Sequence, residues 1–279
     1  MTFRLNLLKV FEKSLKYGEI SGKIIVINAK ERDHTVRHEI LSVGFDSVTM
    51  DEALEKAYEL AKNGKGCYIV TPNSEIVYEC RKNEKLRQVV RSADMVVPDG
   101  IGVVYAAKIL GRSVKQKVAG VELGEKLIAK MAETGGKVYL LGAKPGIADE
   151  AAKKLCEKYK GLNIVGTHDG YFKDDSEVIA DINDKAPNVL LVCLGVPKQE
   201  LWMSNNSDKL NVNVMLGLGG SLDIYAGAAK RAPDIFIKLG LEWLYRLIKE
   251  PWRFKRMLRL PLFLMIAVKA RIFGDEFEK

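Results

Sequence analysis

Long hydrophobic runs are missing from this chain. The longest, Leu260–Val268, is nine residues, against the ~20 that a membrane-spanning helix needs. A spanning helix is therefore not expected, whereas a segment lying on a membrane surface is compatible with the pattern. Histidine and cysteine are scarce. His34, His38 and His168 show no paired ligand spacing, and no Asp-x-Asp motif is present to hold a divalent ion on a diphosphate, so no metal or other cofactor is expected. Cys67, Cys80, Cys156 and Cys193 lie far apart, with no Cys-x-x-Cys pair. This argues against a disulfide framework or a zinc site and favours a reducing, cytoplasmic setting. Met1–Lys23 is broken by charges throughout, unlike a secretory signal. No internal repeat or low-complexity tract occurs.

What is present is a chain of 279 residues, 47% apolar and 29% charged, with a net charge of +8. That suits one large α/β domain, or one domain with an appendage. The charge is unevenly placed. Lys230–Lys279 holds 12 Lys/Arg against 6 Asp/Glu, while the rest holds 32 against 30. The basic character therefore belongs to a tail carrying Arg231-Ala-Pro, Leu241-Glu-Trp-Leu-Tyr-Arg246 and Glu250-Pro-Trp-Arg253-Phe-Lys-Arg256. Such a basic, aromatic and amphipathic tail suits a surface that meets something anionic and partly apolar. In isolation the same residues would more often be a solvated basic face. The expected divisions are an N-terminal extension over 1–36, a core over 37–229 and the appendage over 230–279.

Short apolar runs alternate with helical patterns through the core. Strands are expected at Glu39–Val43, Cys67–Val70, Met95–Val97, Val138–Leu141, Ile164–Thr167, Val189–Leu194 and Val212–Leu216. Helices are expected at Asp51–Asn63, Ser74–Ser92, Ile101–Leu110, Val121–Thr134, Gly146–Tyr159 and Lys198–Ser207. This alternation predicts an α/β, Rossmann-like, mostly parallel sheet flanked by helices. The extension fits less well, with an amphipathic helix expected over Phe3–Tyr17 and a short strand at Ile24–Ile27. In parallel sheets ligands sit at the carboxyl ends of the strands, which directs attention to the loops that follow them.

Five of those loops carry unusual chemistry: Thr71-Pro-Asn73, Pro98-Asp99-Gly100, Gly142-Ala-Lys144-Pro-Gly146, Gly195-Val-Pro-Lys-Gln199-Glu200 and Gly217-Leu-Gly-Gly220-Ser. On its own loop Asp99 is most simply a turn former bonded to its backbone; facing a crevice, it would be a general base for a hydroxyl. Gly142–Gly146 offers backbone N–H groups to a phosphate, or is a plain strand-to-helix turn, because the full Gly-x-Gly-x-x-Gly spacing is absent. Glu200 reads as a complement to its helix dipole, and Gln199 as a hydrogen-bonding side chain at a helix start. Arg246 and Lys249 share a helical face, Pro251 should break that helix, and Arg253 and Arg256 share the next face. Arginine suits phosphate through its planar, two-pronged donor.

Taken in order, Thr-Pro-Asn, Pro-Asp-Gly-x-Gly-Val, Leu-Gly-x-Lys-Pro-Gly, Gly-Tyr-Phe, Leu-Gly-x-Pro-Lys-Gln-Glu, Gly-x-Gly-Gly and Arg-Ala-Pro…Leu-Glu-Trp-Leu-Tyr-Arg-Leu…Glu-Pro-Trp-Arg resemble the WecG/TagA/CpsF family of bacterial glycosyltransferases from about His38 to Arg256. The resemblance implies metal-free, inverting transfer of N-acetylmannosamine from its UDP donor to undecaprenyl-diphosphate-linked N-acetylglucosamine, in teichoic acid or surface polysaccharide synthesis. It implies that Asp99 is the catalytic base. Thr71, Asn73, Lys117, Gly142, Lys144, Gly146, Gln199 and Gly220 would line the substrate pocket. Arg231, Arg246, Arg253 and Arg256 would offset charge on the leaving group and help seat the appendage on the inner face of an anionic membrane. No nucleic-acid partner is implied, and a homo-oligomer is compatible with the pattern.

Two positions depart from the family's pattern. Lys117 stands where relatives often carry arginine, and Glu122 where aspartate is frequent. Lysine keeps the charge but loses the two-pronged geometry. Relatives also use the uronic acid of the same amino sugar. Two readings outside the family compete. An NAD-dependent nucleotide-sugar enzyme would rest on the Gly142 loop alone, and a non-enzymatic basic membrane-binding module would leave the strand-end loops unexplained.

Overall fold

The computed structural model describes residues 19–20, 23–24, 37–249, 251, 254 and 259–275. The chain divides into two units, Met1–His34 and Thr35–Lys279. In the first, β1 (Glu19–Ile20) pairs antiparallel with β2 (Lys23–Ile24). The helix expected over Phe3–Tyr17 and most of the strand expected after Ile24 lie outside the described residues.

The second unit opens with a hairpin, β3 (Arg37–Ile40) and β4 (Val43–Asp46). A single strand over Glu39–Val43 is the sequence expectation; the chain instead reverses at Leu41 and Ser42, whose φ values of 48° and 77° are both left-handed. Asp46 fixes the hairpin to the sheet edge. Its buried carboxylate accepts the Val96 N–H at 2.7 Å and meets Arg37 at 3.2 Å.

The main elements follow: α1 (Met50–Asn63), β5 (Cys67–Val70), α2 (Ser74–Lys82), α3 (Glu84–Ser92), β6 (Met95–Val96), α4 (Ile101–Leu110), α5 (Gly120–Thr134), β7 (Lys137–Gly142), α6 (Ile147–Lys158) and β8 (Asn163–His168). After them come α7 (Ser176–Lys185), β9 (Val189–Cys193), α8 (Lys198–Asn206), β10 (Val214–Gly217), α9 (Ser221–Tyr225), α10 (Asp234–Lys238), α11 (Glu242–Lys249) and α12 (Arg259–Phe273). Six strands form one sheet in the order β6-β5-β10-β9-β7-β8, every pairing parallel. The central strands are apolar and buried throughout, as a parallel sheet covered on both faces requires. The expected fold class is therefore observed.

Alternate side chains of each strand feed two cores. Tyr68, Val70, Leu190, Val192 and Met215 face α2, α3, α4, α7, α8 and α12 together with the hairpin. Ile69, Leu140, Leu191 and Leu216 face α1, α5, α6 and α9. On α1, Ala53, Ala57 and Ala61 recur every fourth residue and let that helix lie close. Its start is closed by reciprocal bonds between Thr49 and Glu52. The single helix expected over Ser74–Ser92 is two, because Asn83 leaves helical geometry and caps α3 through the Leu86 N–H at 3.0 Å.

The tail returns to the body. On α12, Phe263, Ala267 and Ala270 are buried against α2 and α4. Gly102 permits that approach, since a Cβ there would lie 2.5 Å from Leu260 Cδ1. Arg81 holds Asp275 through both carboxylate oxygens at 2.9 and 3.0 Å. No helix among the described residues is long and apolar enough to cross a membrane.

Candidate active site

The carboxyl ends of β5, β6 and β10 bring the Thr71, Asp99 and Gly217 loops together. Asp99 follows β6 and is half-buried; its N–H donates to Pro72 O at 3.2 Å, and Pro98 O accepts the Val118 N–H at 2.9 Å. The Asp99 turn is thus tied on one side to the Thr71–Asn73 loop and on the other to the segment carrying Lys117. Gly100 supplies the φ of 93° that starts α4, and a Cβ on it would face Asn73 Cβ at 3.7 Å. Two tail segments pack on the start of α4, just beyond Asp99. A Cβ on Gly240 would meet Ile101 at 3.0 Å, and Leu260 lies against Gly102.

Several candidate side chains hold the loops themselves. Thr71 is buried and its Oγ1 donates to Gly217 O at 2.9 Å. Asn73 caps α2, its Oδ1 accepting from Glu75 N at 2.9 Å and Ile76 N at 3.1 Å. Gln199 is only 2% exposed, and its Oε1 accepts the Gly219 N–H at 2.8 Å. Gly220 sits exposed on the crest of that loop, ahead of α9.

A second group lies at the carboxyl ends of β7 and β9. There the outgoing connections diverge, β7 leading outward to β8 and β9 back to β10, which makes a crevice. Gly142 serves the packing of the two loops: its φ is 128°, and a Cβ would fall 2.3 Å from Cys193 O. Lys144 and Gly146 stand exposed on the rim. β7 is three strand spacings from β5, about 14 Å, so the two groups lie along one rim rather than around one atom.

The cations divide similarly. Arg231 donates to Glu122 on α5, while its Nε is buried without a hydrogen-bond partner. Lys117 Nζ lies 3.6 Å from Glu242 Oε2 on α11. Arg246 belongs to α11, and Arg253 and Arg256 lie outside the described residues. No group of three or more His, Cys, Asp or Glu that could hold a metal ion occurs among the described residues.

A model of the WecG/TagA/CpsF glycosyl transferase family matches residues 38–276. The chain belongs to that family. It is a glycosyltransferase of the WecG/TagA type, and the Pro98-Asp99-Gly100 loop and the described tail helices lie within the matched span. It is 38% identical over 205 residues to an N-acetylglucosaminyldiphosphoundecaprenol N-acetyl-beta-D-mannosaminyltransferase of Bacillus spizizenii, covering 74% of this chain and 80% of that protein. The protein of the same description from Bacillus subtilis is 34% identical, over 83% of this chain and 90% of its own length. One from Staphylococcus aureus is 32% identical, over 88% and 97%.

Glu200 is the residue whose place the sequence reading missed. It does stand in the first turn of α8, as a complement to the helix dipole would, but it is a carboxyl only 1% exposed. Burial pushes its pKa up to about 7, against weaker opposition from its own backbone N–H and the Gln199 amide. The signal was present in part: Gln199, Trp202, Met203 and Asn206 mark one helical face, and that whole face is buried.

Proposed function

We propose that this glycosyltransferase is inverting and metal-independent, and moves N-acetylmannosamine from UDP-N-acetylmannosamine to undecaprenyl-diphosphate-linked N-acetylglucosamine. The observation that carries the reading is the half-buried Asp99 at the sheet rim, on a turn tied to the Thr71–Asn73 loop and to the Lys117 segment, with the tail packed on the start of the helix that follows it. The description of the Bacillus and Staphylococcus relatives supplies donor and acceptor. The metal-free course follows from the family resemblance.

In this reading Asp99 removes the proton from the acceptor sugar hydroxyl. The freed oxygen bonds to C1 of the donor sugar from the face opposite UDP, the C1–O bond to UDP breaks, and the electron pair leaves with the diphosphate. Lys117 and Arg231 offset that charge, with Arg246, Arg253 and Arg256 of the same tail. The loops of Gly142–Gly146 and Gly217–Gly220 receive the rest of the donor. Teichoic acid or related surface-polymer synthesis would use this product, made peripherally on the inner, anionic membrane face where the lipid acceptor resides.

UDP release from UDP-N-acetylmannosamine, with and without a lipid-diphosphate N-acetylglucosamine analogue and in excess EDTA, tests the reading. Acceptor-dependent release that survives chelation supports it. Release that stops with EDTA removes the metal-free course, and release only from the uronic acid donor replaces the sugar.

A further inference from the structure

We infer that Glu200 is a positioning residue: its buried carboxyl holds the Gln199 amide in the one orientation that anchors the Gly217–Gly220 loop. A glutamine amide has one acceptor edge and one donor edge, and the two are nearly equal in shape. At this position they cannot be exchanged. Gly219 N–H donates to Gln199 Oε1 at 2.8 Å, and Gln199 Nε2 donates to Glu200 Oε1 at 3.0 Å. Rotating the amide by half a turn would set a donor against the Gly219 N–H and, with Glu200 ionised, an acceptor against the carboxylate, so both partners then enforce the same orientation.

The amide also lies against the other end of the loop. A Cβ on Gly217 would fall 2.6 Å from Gln199 Nε2, and the Gly217 carbonyl is taken by Thr71 at 2.9 Å. The loop is therefore gripped from both sides, by Thr71 from β5 and by Gln199 from α8. Glu200 has no partner for its other oxygen, Oε2, which is buried. An unpaired buried carboxyl oxygen is unfavourable to the fold, and an apolar residue of the same length would fill the space without that cost. The amide it orients accounts for a carboxyl at this place. Glu200 thus acts through Gln199 and needs no contact with substrate.

The consequence for catalysis rests on the reading that this loop receives the nucleotide-sugar donor; the consequence for the loop does not. The experiment separates the two by following backbone hydrogen exchange around Gly219 in the full-length protein, alongside donor KM and kcat from UDP release. Glu200→Met removes the acceptor but keeps length and burial, Glu200→Gln can restore it through its own amide oxygen, and Gln199→Leu removes the intermediary. Glu200→Met should speed exchange around Gly219 about tenfold and raise donor KM more than it lowers kcat. Glu200→Gln should return both toward wild type. With Gln199→Leu already present, Glu200→Met should add nothing. Unchanged exchange in Glu200→Met, or an effect that adds fully to Gln199→Leu, overturns the proposal. Faster exchange in a protein that releases no UDP in any form would uphold the positioning role and remove the donor reading. Should Glu200→Met not fold, exchange in Glu200→Gln and Gln199→Leu still decides: a loop held equally well in both overturns the proposal.

Discussion

Lys117, in the segment that leads into α5, lies 3.6 Å from Glu242 on the tail helix α11. An anionic side chain thus occupies a cation that the proposed reaction needs for its diphosphate. Both groups are about four-fifths buried, with side-chain exposures of 20% and 21%, so the pair is less screened than an ordinary surface contact.

Removing the competing charge should favour the donor. Glu242→Gln is expected to tighten UDP binding by up to about fivefold, the effect of an ion pair of about 1 kcal/mol. Lys117→Met should weaken binding by at least as much. Titration calorimetry with UDP checks both. Weaker binding in Glu242→Gln would mean that the pair builds the site instead of competing with it.

Asp99→Asn keeps the turn, because asparagine suits the same backbone as aspartate, but removes the base. Turnover should fall about 10²–10⁴-fold with donor KM and melting temperature close to wild type. Near-normal kcat in this variant would sink the assignment of the base, and a collapse in melting temperature would make Asp99 chiefly a turn former.

Much of the sheet is visible in the sequence, for a physical reason. Val189-Leu-Leu-Val-Cys193 is an unbroken apolar run, which a strand covered on both faces must be. Leu41-Ser42 conceals its hairpin, because neither residue is among those that ordinarily mark a left-handed turn. The loops that carry Thr71, Asp99 and Gln199 are legible as strand ends. What those side chains touch is not, since Thr71 reaches Gly217 and Arg231 reaches Glu122 across more than a hundred residues of chain. Such pairings follow from the strand order, and local pattern does not encode it. Gln199 and Glu200 were concealed differently: polar residues on a buried face defeat a reading that equates polarity with exposure.

Glu200 should make stability fall as the pH rises from about 4.5 to about 7. In the unfolded chain its carboxyl releases a proton near the ordinary 4.5, and in the fold near 7. Between these values the folded protein holds a proton that the unfolded chain has lost, so raising the pH favours unfolding. The loss is complete above about 7 and amounts to roughly 3 kcal/mol. Cys80 on α2 is the titratable neighbour; burial and the Glu200 charge push its thiol up to about 12, so it stays protonated throughout. Denaturant unfolding of wild type and Glu200→Gln at pH 5 and pH 8 checks this. The variant should gain on wild type at pH 8 relative to pH 5, and parallel curves would show that Glu200 does not titrate in this window.

The two sides of α12 should separate stability from membrane binding. Phe263 is fully buried beneath it, so Phe263→Ala should cost about 3–5 kcal/mol and lower the melting temperature sharply. Leu262, Met265, Ile272 and Phe273 are exposed and share the outward side with Lys269, a mixture that suits an interface between headgroups and acyl chains. Met265→Glu combined with Ile272→Glu replaces that apolar surface with charge. Cosedimentation with vesicles containing anionic phospholipid should fall severalfold in this variant while its melting temperature stays within a few degrees of wild type, because neither side chain is part of the core. Binding that is lost only with Phe263→Ala would mean that the fold as a whole, and not this face, carries the attraction. Equal binding to neutral and anionic vesicles would remove the role of the basic tail.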